Sequence, residues 1–166
     1  AAVDVDKEII VVDDCSDDRT SQILGDIDIP GLRIFRHRVN RGKGAAIRTA
    51  LAAATGDAVI MQDADLEYDP QDYRALLDPL QRGEAQVVYG VRSFKGQKLL
   101  LRLGNRLLTA LTNLLYGVHL YDMETCYKLM TTELARKLGI ECDRFDLEPE
   151  ITAKVIRLGY AIHQVP

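Results

Sequence analysis

The sequence has no cysteine or histidine pattern of the kind that builds a disulfide framework or a zinc site. It contains three widely spaced cysteines, none of them in a CxxC pair: Cys15, Cys126 and Cys142. An odd, scattered set favours reduced thiols in a cytosolic setting. The three histidines also lack HxxxH or HxE spacing, so we assign none of them to a metal.

No run of apolar residues is long enough to span a bilayer, which takes about 20. The nearest stretch, residues 99–116, is interrupted by Arg102, Asn105, Arg106 and Asn113. Its leucine stripe favours a core helix, with a membrane-surface helix as the alternative. The first dozen residues have no basic region and no cleavage site, which excludes a signal peptide there.

The chain also lacks an excess of positive charge. Its 21 basic and 25 acidic residues give a net charge of −4, so nothing attracts nucleic acid in bulk and an anionic ligand must be held by a local cluster. With 166 residues, 47% hydrophobic and 28% charged, the sequence predicts one folded domain over residues 1–166.

Short apolar runs alternate with helical patterns along the first half of the chain. Strands are predicted at 8–12, 32–35, 58–61 and 86–89, with helices between them. The second half predicts a helix at 99–116, a short strand within 122–130, helices at 132–138 and 148–158, and a last strand at 161–165. The alternation indicates an α/β fold with a mostly parallel sheet covered by helices, whose ligand sites lie beyond the carboxyl ends of the strands.

Three acidic residues follow one of these strands at alternate positions. In extended backbone Asp63, Asp65 and Glu67 point to one side, so their carboxylates can converge. Three oxygen ligands suit Mg²⁺ or Mn²⁺, which complete their shells with water and substrate phosphates. The alternative is a solvated acidic loop that caps the helix beginning at Pro70.

A second acidic pair and a basic, glycine-containing segment lie near other strand ends. Asp13 and Asp14 can accept hydrogen bonds from a ribose or a base, although this segment also suits helix capping by Ser16 or Asp17. Residues 41–44 supply two cations and two glycines at a helix start, a place suited to a diphosphate. The segment is no P-loop, because GxxxxGK[ST] is absent.

Seven motifs spread from residue 8 to residue 166 carry a family resemblance. In chain order they are IIVVDDCSDDRT, NRGKGAAI, MQDADLEYDP, VVYGVRSF, GNRLL, DMETCYKLM and FDLEPEITAKVIRLGY. Together they resemble the family 2 GT-A glycosyltransferases, and within them the polyprenol-phosphate hexose transferases of the dolichyl-phosphate mannose synthase type. The resemblance implies the Rossmann-like GT-A fold.

For the donor, the resemblance implies a UDP- or GDP-sugar bound by five residues: Asp13, Asp14, Lys43, Asp63 and Ala64. Asp63 and Asp65 form the DxD motif, with Mg²⁺ or Mn²⁺ as cofactor. Glu67 stands where some relatives carry a glutamine as the third metal ligand.

For the acceptor, the resemblance implies that Arg92 approaches the diphosphate or the acceptor phosphate. Arg102, Asn105 and Arg106 form an acceptor-side cluster, and Asp122 faces the acceptor. Asp65, Arg92 and Asp122 are the expected catalytic positions.

The expected activity is inverting transfer of a hexose to a polyprenyl phosphate. Such an acceptor is already ionised near neutral pH, whereas a hydroxyl acceptor needs a base, for which Asp122 is the candidate. Two alternatives stay open: a family 2 transferase that acts on a sugar hydroxyl in polysaccharide synthesis, and a non-catalytic nucleotide-sugar binding module.

The sequence departs from this family at its start, where no strand with a PxYNE loop precedes residue 8. We therefore expect a chain truncated relative to the family, with an exposed sheet edge along residues 9–12 that allows self-association. The resemblance also implies a cytoplasmic location at a membrane face, with peripheral membrane contact.

Overall fold

A computed structural model describes residues 5–65, 68–92, 99–144 and 146–166. The strands are β1 (Ile9–Asp13), β2 (Leu32–Arg36), β3 (Ala58–Ile60), β4 (Val87–Gly90), β5 (Lys128–Thr131) and β6 (Ile162–Val165). The helices are α1 (Thr20–Gly25), α2 (Lys43–Ala53), α3 (Tyr73–Gln81), α4 (Leu99–Tyr116), α5 (Thr132–Lys137) and α6 (Leu147–Arg157), with a 3₁₀ turn at Pro70–Asp72. The expected α/β class and the alternation of elements are confirmed.

The core is built on a four-stranded sheet in the order β3-β5-β4-β6. Strand β5 runs antiparallel to both of its neighbours, while β4 and β6 are parallel. The sheet is therefore mixed and not mostly parallel as expected. After α4 the chain enters β5 at the edge of the sheet where β3 and β4 end, so β5 runs in the opposite direction to both strands. The carboxyl ends of β3 and β4 thus flank the amino end of β5.

Both faces of this sheet are covered, as the alternation of side chains along β4 shows. Val87 and Tyr89 pack in a cluster with residues of α5 and α6, whereas Val88 packs with Leu76 of α3 on the opposite face. Residues two apart along a strand share a face, so one short apolar strand supplies both halves of the core.

Strands β1 and β2 form a separate parallel pair that helix α2 joins to the main sheet. The Glu8 carboxylate accepts from the amides of Thr55 and Gly56 just after α2, and Arg33 donates to the carbonyl of Ala53 at 2.7 Å. Among the described residues β1 pairs on one side only, as expected for residues 9–12. Self-association through that edge stays a prediction.

Helix α1 is shorter than the sequence predicts. The apolar spacing of Thr20, Ile23, Leu24 and Ile27 predicts a helix that continues until Pro30 stops it. The helix ends at Gly25 instead, because Ile27 and Ile29 are exposed and give a longer helix nothing to pack against.

Helix α4 contradicts the expectation of a core helix. Its buried side is polar: Thr109 is 6% exposed and accepts from the amide of Met123, while the Asn113 side chain pairs with the backbone of Leu120. The helix is held by these hydrogen bonds and not by its apolar stripe, and its leucines from residue 103 onward are exposed: Leu103, Leu107, Leu108, Leu111, Leu114 and Leu115. None of the helices in the described part of the chain combines the length and apolar character needed to span a bilayer.

The start of α2 lies against the segment at residues 142–143, and this contact requires glycine. A Cβ on Gly44 would overlap the carbonyl oxygen of Cys142, and one on Gly42 would overlap that of Asp143. Gly42 also has a φ of 94°, a conformation that other residues rarely adopt. The two glycines therefore allow α2 and the chain before α6 to meet.

We predict that Gly44→Ala lowers the free energy of unfolding by about 1–3 kcal/mol, since the added methyl group forces backbone apart. The matched control is Gly104→Ala in α4, where an added Cβ meets nothing and alanine should stabilise the helix by about 0.5–1 kcal/mol. Chemical denaturation of both variants checks this. Equal stability of the two variants would contradict the packing argument.

Candidate functional site

Asp14, which follows β1, has its carboxylate occupied by the loop before α2. His37 Nδ1 lies 2.6 Å from Asp14 Oδ1, and the amides of Arg41 and Gly42 donate to Asp14 at 2.9 and 2.6 Å. Although burial opposes it, these bonds hold the pKa of Asp14 below its usual range. Asp14 therefore shapes the loop that precedes Lys43.

Asp13, the last residue of β1, faces away from that loop. Its side chain is buried, accepts from the amide of Ser16 at 2.8 Å, and lies 3.3 Å from the guanidinium of Arg36. The hydrogen bond from Ser16 lowers the pKa of Asp13. The alternative of helix capping by Ser16 or Asp17 is wrong, because α1 begins at Thr20 and its N-cap residue, Arg19, makes no side-chain cap hydrogen bond. Contact of Asp13 with a nucleoside stays a prediction.

Lys43, the first residue of α2, links three parts of the chain. Its Nζ lies 2.9 Å from Asp63, which follows β3, and 2.7 Å from Glu148 in the first turn of α6. Burial opposes the charge of Lys43, but the hydrogen bonds that its ammonium group donates to these two carboxylates raise the pKa of Lys43 above its ordinary value. Two of the five residues expected at the donor, Lys43 and Asp63, are thus in contact, while their binding of a donor stays a prediction.

Glu148 is a functional candidate that sequence reasoning missed. The sequence explains it as an acid favoured by a helix dipole, and it does lie in the first turn of α6. Its contact with Lys43 spans 105 positions along the chain, so only the folded structure places it at the site. Its position beside Pro149, within a motif rich in acids, was the signal available in the sequence.

The amino end of α2 differs from the diphosphate site that its sequence suggests. The amide of Gly44 donates to the carbonyl of Asp143 at 2.9 Å, which occupies a group that a phosphate would need. A cavity of about 160 Å³ lies beside it instead, lined by Asp14, Asn40, Gly42, Lys43 and Arg144. Anion binding here therefore depends on side chains and not on the helix terminus.

The DxD segment follows β3 and is open to solvent. Asp63 is partly buried through its contact with Lys43, while Ala64 and Asp65 are exposed. Glu67, the expected third ligand, lies outside the described residues. In the described ranges, no group of three or more histidine, cysteine or acidic side chains is placed to hold a metal. Two carboxylates still suit Mg²⁺ or Mn²⁺ when substrate phosphates and water complete the shell.

Arg92, just beyond β4, forms a two-pronged ion pair with Asp122. Its Nε donates to Oδ2 at 2.7 Å and its Nη2 to Oδ1 at 3.0 Å, and the Asp122 side chain is fully buried. Both carboxylate oxygens of the expected base are thus taken by the arginine. Asp122 therefore orients the guanidinium group of Arg92. A guanidinium group held in one orientation suits the recognition of a phosphate.

Two further charged residues near this pair were missed by the sequence analysis. Glu124 has a buried carboxylate oxygen with no hydrogen-bond partner, and burial, with the charges of Glu148 and Asp122, raises its pKa. Lys128 opens β5, is fully buried, and donates to the carbonyls of Met123 and Thr125. Burial lowers the pKa of Lys128 to about 8. The signal in the sequence that could have identified both residues was the presence of charged side chains within the DMETCYKLM motif.

The acceptor-side residues lie together on α4. Arg102 is three positions before Asn105 and four before Arg106, which places the three residues on one side of the helix. Arg102 is half-buried with an unpartnered Nε, and Arg106 is exposed.

Residues 3–139 match the model of the family described as glycosyl transferase family 2. Among curated proteins, a dolichyl-phosphate beta-glucosyltransferase of Trichomonas vaginalis is 30% identical over 170-odd aligned positions, which cover 96% of this chain and 53% of that protein.

Solved structures of glucosyl-3-phosphoglycerate synthase from Mycobacterium tuberculosis share the fold. The complex with phosphoglyceric acid has a TM-score of 0.72 and 27% identity, covering 95% of this chain and 58% of that one. The complex with Mn²⁺, UDP-glucose and glycerol 3-phosphate has a TM-score of 0.69 and 27% identity, covering 94% and 57%. This similarity confirms the GT-A fold.

The chain spans little more than half the length of these proteins. The family match nevertheless covers most of the present sequence, including the acidic segments after β1 and β3 and the Arg92–Asp122 pair. The chain therefore belongs to glycosyl transferase family 2.

Proposed function

We propose that the protein transfers a hexose, with inversion, from a nucleotide diphosphate sugar to a polyprenyl phosphate. The observation that carries this proposal is the edge of the main sheet, where β3 ends in the acidic pair and β4 ends at the oriented Arg92. An acidic pair suits a cation–diphosphate complex and an arginine suits a second phosphate. The same edge of the sheet thus carries side chains suited to the donor and a side chain suited to the acceptor.

On the donor side, the side chains have separable tasks. Asp14 holds the loop that lines the cavity, and Lys43 holds Asp63 in place while contributing positive charge toward a diphosphate. Asp63 and Asp65, with Glu67 as the proposed third ligand, would hold Mg²⁺ or Mn²⁺. When bound, the cation supplies Lewis-acid neutralisation of charge on the leaving diphosphate.

On the acceptor side, Arg92 is the proposed phosphate ligand. Because Asp122 fixes its guanidinium at two points, Arg92 keeps one orientation and loses little freedom on binding an anion. An ionised phosphate oxygen attacks without a base, so the engagement of Asp122 is no obstacle to this reaction. The name of the Trichomonas relative, which includes dolichyl phosphate, supports this acceptor class.

Glu124 favours one alternative, transfer to a sugar hydroxyl. Such an acceptor needs a proton acceptor, and the buried, unpartnered carboxylate oxygen of Glu124 is better suited to that role than Asp122. We rank this second, because the basic residues of α4 match an anionic acceptor.

We predict turnover when the intact protein is given a polyprenyl phosphate, Mn²⁺ and the correct member of a panel of UDP- and GDP-sugars. Release of the nucleoside diphosphate and formation of the glycosylated lipid are measured together. Product with a glycan hydroxyl acceptor alone would replace the proposal by the alternative, and donor binding without any transfer would favour a binding module.

A second prediction concerns the cation. Asp65→Ala should weaken Mn²⁺-dependent binding of the nucleotide sugar by at least about tenfold, since it removes one of two described carboxylate ligands. The matched control is Asp57→Ala, an exposed acid just before the amino end of β3. Calorimetry with and without Mn²⁺ checks this, and equal affinity in both conditions would refute the DxD assignment.

A third prediction concerns the acceptor. Arg106→Ala should raise the KM for a short, water-soluble prenyl phosphate about tenfold and leave nucleotide-sugar affinity unchanged, because lost ground-state binding appears in KM. Arg157→Ala, an exposed arginine at the end of α6, is the control. Equal loss of donor and acceptor affinity would place Arg106 on the donor side or indicate misfolding.

A further inference from the structure

Gln62, which directly precedes the DxD segment, has both polar atoms of its side chain in hydrogen bonds. The hydroxyl of Tyr127 donates to its amide oxygen at 2.6 Å, and the hydroxyl of Tyr73 donates to the same oxygen at 3.0 Å. An amide oxygen has two lone pairs, so these two donors use it fully. The amide nitrogen donates to the carbonyl of Asp63 at 2.8 Å. Gln62 therefore links two tyrosine hydroxyls to the backbone of the first DxD residue.

Tyr127, near the start of β5, is a rigid support for this link. It is 2% exposed, and its carbonyl accepts from the amide of Gly90 in β4 at 2.9 Å. Its ring packs against Tyr68 with the centroids 4.3 Å apart and against Tyr73 at 5.6 Å. Aromatic pairs at these distances are favourable beyond the area that they bury. The hydroxyl that binds Gln62 therefore has a fixed position.

The chain is attached to the same place after the DxD segment. The amide of Cys126 donates to the hydroxyl of Tyr68 at 2.8 Å, beside the packing of Tyr68 on Tyr127. The two aspartates thus lie between two attachments, Gln62 before them and Tyr68 after them. Neither of these two hydrogen-bonded attachments uses an aspartate carboxylate.

We propose that Gln62 is a positioning residue that sets Asp63 and Asp65 for one shared divalent cation. A peptide group is planar, so a bond to the Asp63 carbonyl fixes the whole peptide between Asp63 and Ala64. The direction in which the chain leaves β3 toward Asp65 is fixed with it. Carboxylates held relative to each other lose less conformational freedom when they bind one ion.

An amide suits this position because it holds the backbone without adding charge beside two carboxylates. The inference rests on the proposed function, in which Asp63 and Asp65 hold Mg²⁺ or Mn²⁺. The alternative is a purely structural role, in which Gln62 only supplies an acceptor to two tyrosine hydroxyls. That role predicts a less stable protein whose affinity for the cation is unchanged once it is folded.

The test is calorimetry of the intact protein with UDP and with GDP, each with and without Mn²⁺. Gln62→Met keeps the length of the side chain and removes both hydrogen-bonding groups. It should weaken Mn²⁺-dependent nucleotide binding by at least about tenfold and leave binding without Mn²⁺ unchanged. The matched control is Gln81→Met, at an exposed glutamine that ends α3, which should bind like the natural chain.

The double variant Tyr73→Phe, Tyr127→Phe keeps both rings and removes both hydroxyls, so it tests the link if Gln62→Met does not fold. It should weaken Mn²⁺-dependent binding in the same direction by about threefold, because Gln62 keeps its bond to Asp63 but loses its orientation. Tyr160→Phe is the control, since Tyr160 lies before β6, at the opposite end of the sheet from Arg92.

Kinetics with a short, water-soluble prenyl phosphate separate positioning from stability. In Gln62→Met the apparent KM for Mn²⁺ should rise about tenfold, saturating Mn²⁺ should restore kcat, and the KM for the acceptor should not change. A loss of kcat that saturating Mn²⁺ does not restore would overturn the inference in favour of the structural role.

The calorimetry also distinguishes failure of this inference from failure of the proposed function. Mn²⁺-dependent binding that is the same in the natural chain, Gln62→Met and the double tyrosine variant would overturn the inference alone. A natural chain that binds both nucleotides equally with and without Mn²⁺ would overturn the metal site of the proposed function, and this inference with it.

Discussion

The contact of Lys43 with two carboxylates joins parts of the chain that otherwise have little in common. Lys43 opens α2, the helix that carries the β1–β2 pair, while Asp63 belongs to the main sheet and Glu148 to α6. Lys43 and Glu148 are largely buried and Asp63 is partly exposed, so the contact chiefly compensates the charges of Lys43 and Glu148. The position of the two sheets and the shape of the donor site therefore depend on one ion network.

The network also limits what Asp63 can do. Its carboxylate already contacts an ammonium group, so its charge is shared before any diphosphate arrives. In the proposed function, a cation held by Asp63 and Asp65 would compete with Lys43 for the oxygens of Asp63, and the phosphates of the donor would give Lys43 new partners. Such an exchange of partners would couple binding of the cation to binding of the donor.

Much of the framework follows from local sequence. The β-branched run before Asp13 and the apolar run before Asp63 form strands, and acids follow them because polar residues are tolerated at strand ends. The direction of β5 could not be predicted, since the sequence of a four-residue strand does not indicate which strands pair with it. The roles of Glu148 and Asp122 also escaped, because their partners lie 105 and 30 positions away.

Helix α4 shows what the spacing of apolar residues cannot predict. A leucine stripe identifies a helix with one apolar face, and the helix is present as predicted, yet the same stripe fits a core or a surface. What decides is the opposite face, where Thr109 and Asn113 have specific backbone partners at Met123 and Leu120. Met123 directly follows Asp122 and Leu120 lies two residues before it, so the bonds that hold α4 with its exposed leucines outward also anchor the loop that orients Arg92. The outward face of α4 and the orientation of the Arg92 guanidinium are therefore fixed by the same short segment.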